Sequence, residues 1–172
     1  MNLDYKNLLP QDFAPNSRVW IYQSNQLFGM SEALQIEELL THFTANWKSH
    51  GIPVKGFGTL LFGQFIILMA DENATGVSGC STDSSVKLIK EIENLYKVNM
   101  FDRLSLAFII KDKVELLPLS QVQYALDNNF ITPNTTFFQN GIQTKTELEK
   151  NWMIPISESW VAKRLNLPLQ KA

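Results

Sequence analysis

The segment Gly79-Cys80-Ser81-Thr82-Asp83 comes closest in this chain to residue types that do chemistry. It leads from a polar stretch into an amphipathic one, the pattern of a helix head. Backbone N–H groups in the first turn of a helix have no partner within it. The helix dipole there favours negative charge. Small side chains let a ligand approach, so Gly79, Cys80, Ser81 and Asp83 form a candidate site for an anion or another small ligand. A thiol in that place has its thiolate stabilised, which would make Cys80 a nucleophile. The same residues also serve a structural end. Ser81 or Asp83 then caps the helix, and Cys80 fills a small apolar gap.

A nucleophilic cysteine wants a base. The two histidines, His42 and His50, both fall on an earlier helical stretch and read as surface residues. They are eight residues apart with no third ligand in view, so zinc is not indicated. Asp71 and Glu72 end an apolar run, and Asp83 opens a helix. Converging at one end of a sheet, these three carboxylates would be weak candidates for a magnesium site. The plainer reading makes Asp71-Glu72 a solvated loop and Asp83 a cap. No cofactor is called for.

Composition narrows the partners. The 172 residues carry a net charge of -2, and 45% are hydrophobic. Lysines and arginines are scattered, without the basic stripe of a nucleic-acid binder. The most apolar run, residues 65–70, falls far short of the ~20 residues that span a membrane. A single cysteine and an N-terminus without a secretory pattern point to the cytoplasm.

Periodicity then places these residues on elements. Residues 1–17 read as an irregular arm and 18–24 as a first strand, with Trp20 and Tyr22 on one face and Val19 and Ile21 on the other. Two apolar faces would make that strand central. Ser31 would cap a helix carrying Ile36, Leu39, Leu40, Phe43 and Trp47 and ending near His50-Gly51. Residues 54–62 and 65–71 form a hairpin over Gly63-Gln64, with Gly56 and Gly58 marking a bulge. A second helix runs from about Ser81 to Lys97, with Val86, Ile89, Ile92 and Tyr96 inward and Lys87, Lys90, Glu91 and Asn94 outward. Residues 104–110 and 114–117 make another hairpin. Ser120 with Gln123, and Thr144 with Glu147, match capping boxes, and Ser157 would cap a last short helix. Thr135–Gln139 is a strand before the turn Asn140-Gly141, where Phe137 and Phe138 would form an exposed tip and favour a homo-oligomer. The expectation is one α+β domain: an antiparallel sheet with helices on one face, a ferredoxin-like β-α-β-β-α-β core, and C-terminal additions.

Four stretches carry a family resemblance: LPQDF…SRVWIYQSNQLF from Leu9, GCSTDSSVKLIKEIE (Gly79 to Glu93), MFDRLSLAF (Met100 to Phe108) and TKTELEKNW…PISESW (Thr144 to Trp160). The chain resembles a family of short, uncharacterised bacterial proteins often labelled "ABC transporter ATPase". The label implies ATP binding and hydrolysis. That chemistry uses a Gly-x-x-x-x-Gly-Lys-Ser/Thr loop around the phosphates, and this sequence has none, so no ATPase residue is carried over. The residues favour a small binding or interaction protein with a ligand near Cys80–Asp83. The alternative is an enzyme using Cys80, or Asp71, Glu72 and Asp83 with a metal.

Overall fold

Apolar runs and the helices between them build the first half of the chain. The order is β1 (Arg18–Gln23), α1 (Met30–Asn46), β2 (Lys48–Ser49), β3 (Ile52–Pro53), β4 (Gly56–Leu61), β5 (Phe65–Ala70) and α2 (Gly79–Tyr96). The computed structural model describes residues 3–71 and 79–166, and the backbone alone for residues 79–82. Its contacts group into two compact units. The larger joins Leu3–Asp102 with Asn140–Glu149, and the smaller joins Arg103–Gln139 with the chain from Lys150 onward.

In the larger unit the sheet order is β1-β5-β4, with both pairs antiparallel. β1 and β4 therefore run parallel on either side of β5, the split β-α-β arrangement. The α+β class holds, and α1 and α2 pack on one face. The strand that would complete a ferredoxin-like order pairs in the smaller unit's sheet instead. The outer edge of β1 is met by the segment at 143–144: Val19 N–H donates to the Gln143 carbonyl at 2.9 Å, and Arg18 bridges Thr144. β5 is thus the central strand, not β1, and all six of its residues are buried.

The two faces of β5 bury against different partners, because alternate residues point to opposite sides. Ile66 and Leu68 join Ile36 and Leu40 of α1 and Leu88, Ile89 and Ile92 of α2 in one core. Inward positions on α2 therefore start at Ser85 and Leu88, with Val86 only half-buried. On the other side lie Phe65, Ile67 and Met69. The N-terminal arm supplies buried Tyr5, Leu9 and Phe13. Tyr5 meets the Phe62 ring edge-on at 6.2 Å, and Phe13 meets Phe57 at 6.5 Å.

Gly56 and Gly58 mark no bulge, since β4 pairs with β5 without a break. They make room. A Cβ on Gly58 would stand 3.3 Å from Leu40 Cβ, and one on Gly56 would stand 2.8 Å from Trp47. The outer edge of β4 is partly closed by Glu37, whose Oε1 accepts from Leu60 N–H at 2.7 Å and the Thr59 hydroxyl at 3.0 Å. That satisfies groups an edge strand would otherwise present for pairing. The β4–β5 turn uses positive φ at Phe62 as well as Gly63.

Helix ends depart from expectation. Ser31 lies inside α1; the cap is Gly29, whose N–H donates to Glu32 Oε2 at 2.7 Å. α1 stops at Asn46, and His50-Gly51 forms the positive-φ turn between β2 and β3. α2 ends with Lys97 at φ 57 and Val98 N–H donating to the Glu93 carbonyl, a left-handed cap without glycine.

The smaller unit contains β6 (Ser105–Ile110), β7 (Lys113–Pro118), α3 (Val122–Asp127), β8 (Thr136–Phe138), the end of α4 (Lys145–Asn151) and β9 (Met153–Pro155). Its sheet order is β7-β6-β8-β9. Ser120 caps nothing: a 3₁₀ turn at Leu119–Gln121 precedes α3, and Gln123 bonds Asp127 and Asn166 instead. Phe137 and Phe138 are buried, at 2% and 1% exposure, so they form no exposed tip. The turn Asn140-Gly141 closes no hairpin, because it carries the chain back to the larger unit, and β8 pairs with β9. Ser159, not Ser157, opens the final 3₁₀ turn, accepting from Val161 N–H at 3.2 Å.

Candidate functional site

Two helical stripes with the same spacing face one another in the larger unit. α1 contributes Leu39, His42, Phe43 and Asn46; α2 contributes Ser84, Lys87, Leu88 and Glu91. Each set is i, i+3, i+4, i+7, one face of a helix. Between them, with Trp47 and Lys48, they line an open groove of about 420 Å³. That is within the ~300–1,000 Å³ usual for small-ligand sites.

The groove has a floor and a rim. Leu88 and Trp47 are buried and Phe43 is half-buried, giving an apolar floor. Trp47 is held by its neighbours: its ring centroid lies 5.0 Å from Phe43 and 5.7 Å from Trp20. His42, Lys48, Lys87 and Glu91 are exposed around the rim. Among the described residues, their side chains enter no hydrogen bond or ion pair. At neutral pH the rim carries two ammonium groups and one carboxylate, a mild excess of positive charge.

The helix-head residues precede the groove's lining along α2. α2 begins at Gly79, so Gly79, Cys80 and Ser81 are its first three residues and Ser81 stands inside the helix rather than in front of it. The residue before Gly79 lies outside the described residues, as do the side chains of Cys80 and Ser81. Asp83 is exposed, and the groove lining starts at the next residue, Ser84.

Asp71 and Asp83 do not converge. Asp71 is buried and turned to the arm's side of the sheet, where Lys55 Nζ approaches it at 3.2 Å. The same ammonium donates to the Asp12 carboxylate at 2.8 Å and the Asp12 carbonyl at 2.9 Å, and lies 4.7 Å from the Phe13 ring centroid. Asp12 is held below the usual carboxylate range by its bond from Lys55, and Lys55 above the usual ammonium range by its bond to Asp12. Asp71 thus belongs to a clamp on the N-terminal arm. Asp83 stands on α2, which packs on the sheet's other face. Glu72 lies outside the described residues. Among the described residues, no three His, Cys, Asp or Glu side chains come together as metal ligands. His50 sits in the β2–β3 turn, while His42 reaches the groove.

Sequence reading missed the groove. Its signal was present: polar His42 and Asn46 beside Leu39 and Phe43, and polar Ser84, Lys87 and Glu91 beside Leu88. Such polar positions read as the wet edge of each helix until the two edges are known to face each other.

Among the described residues, no helix is long and apolar enough to cross a membrane. No protein-family model matches the chain, and no curated protein or solved structure matches it either.

Proposed function

We propose that this chain is a cytoplasmic binding protein that takes a small amphipathic anion in the groove between α1 and α2. The carrying observation is that groove: a cavity of about 420 Å³ with unpaired Lys48 and Lys87 on the rim of an aromatic and aliphatic floor. The ligand's apolar body lies on Phe43, Trp47 and Leu88, and its negative group faces the two lysines. The first-turn N–H groups of Gly79, Cys80 and Ser81 lie at the positive end of α2, and add to the preference for negative charge. The reading needs no catalytic step. It departs from the ATPase activity implied by the resemblance, because the sequence lacks the phosphate-wrapping loop.

A ligand that binds only the folded state raises the melting temperature by mass action, equivalent to about 2.7 kcal/mol at a hundredfold excess over Kd. Aryl carboxylates such as 3-phenylpropionate are expected to raise it. Charge reversal at the rim, Lys48→Glu with Lys87→Glu, is expected to abolish the rise while leaving the unliganded melting point within a few degrees. No rise with any aryl carboxylate at millimolar concentration would rule the reading out.

A further inference from the structure

The rim of the groove contains one feature that a simple anion leaves unused. Lys87 and Glu91 stand one helical turn apart on the same face of α2, yet they form no ion pair. Their order is the weaker one, although it does not forbid pairing: Lys145 and Glu149 of α4 share it and approach to 3.8 Å. A lysine four residues before a glutamate is the weaker orientation of such a pair, because it opposes the helix dipole. Both charged side chains line the groove unpaired, on Cβ atoms about 5–6 Å apart. An ammonium and a carboxylate carried by one small ligand complement that pair in sign. The ligand's carboxylate would accept from Lys87 Nζ, and its ammonium would donate to the Glu91 carboxylate. Both are charge-assisted bonds, the stronger kind. The ligand's apolar substituent then reaches the floor made by Phe43, Trp47 and Leu88.

Resting on the binding reading above, we infer that the groove's ligand is an apolar α-amino acid, with Lys87 and Glu91 as the pair that reads its two charges. Lys48 and His42 stand across the groove from α2, and Lys48 adds positive charge there. Glu91 is the specificity residue. It repels a plain carboxylate ligand and attracts one that also carries an ammonium group.

The test uses the full chain and three probes with the same ring: L-phenylalanine, 3-phenylpropionate without the ammonium, and 2-phenylethylamine without the carboxylate. Affinities are measured by isothermal titration for the native protein, Glu91→Gln and Lys87→Gln. L-Phenylalanine is expected to bind about fivefold more tightly than either truncated probe, the upper end for an exposed ion pair. Glu91→Gln is expected to bring it down to the level of 3-phenylpropionate. If 3-phenylpropionate binds as tightly as the amino acid or more so, and Lys87→Gln weakens both, the amino-acid inference is overturned and the anion reading stands. Tightest binding by the amine, or none by any probe, overturns both.

Discussion

Tyr5 shows how one side chain ties distant chain together. Its ring is buried beneath β5, and its hydroxyl donates to the Leu148 carbonyl at 2.5 Å. Burial, and then the negative charge of Glu149, push its phenol up from 10.0 to about 12. The folded state holds a proton that the unfolded chain gives up. Stability from this group is therefore complete below pH 10 and declines as the pH climbs from 10 towards 12. Tyr5→Phe keeps the ring and loses the bond. Urea titration at neutral pH is expected to show a loss of about 1 kcal/mol. Between pH 10 and 12 the variant is expected to lack the wild type's decline, so the two curves draw together. A constant gap across that range would contradict the assignment.

Among the elements, α4 was the most legible. Thr144 and Glu147 announce a capping box, and the structure builds it: Thr144 Oγ1 accepts from Glu147 N–H at 3.2 Å, and Glu147 Oε2 accepts from Thr144 N–H at 3.1 Å. Glu147 also takes the Gln143 N–H at 2.7 Å. Thr144→Ala is expected to cost about 1 kcal/mol by denaturant titration. Ser120 and Gln123 have the same spacing and build nothing, because Gln123 is drawn to Asp127 and Asn166. A box motif is thus an offer of local bonds that tertiary partners can outbid. The hairpins were legible for a related reason, since their turns are local. Lys111 and Asp112 take φ of 50 and 60, the twist a two-residue connection requires. The left-handed cap at Lys97 was not legible, because a lysine rarely takes positive φ. The candidate site stood midway. Its helix head could be read from small residues at 79–83, while the groove depended on which edges of α1 and α2 came to face one another.

At the scale of the whole chain, the sequence reads as one domain because no linker interrupts it, and pairing between distant strands has no local sign. The larger unit is built from two separate stretches of chain. Residues 140–149 return to the larger unit, where Lys145 is buried and donates to the Phe13 carbonyl at 3.1 Å, and Thr146 N–H donates to the Pro15 carbonyl at 3.0 Å. Lys145→Met keeps the stem's packing and removes the donor. Hydrogen exchange is expected to show faster exchange in the arm at residues 5–17 and at the Val19 amide. The β6 amides of the smaller unit should exchange at unchanged rates. Equal loss in both would show the two units opening together.

The bond from Tyr5 to Leu148 closes over 143 residues. During synthesis the arm is made well before its anchor. At ribosomal speed the interval is on the order of ten seconds. For the later part of it, the nascent chain has completed β5 but lacks the segment that secures the arm over one apolar face of that strand. The bond that ties the arm down can therefore form only after α4 has cleared the exit tunnel.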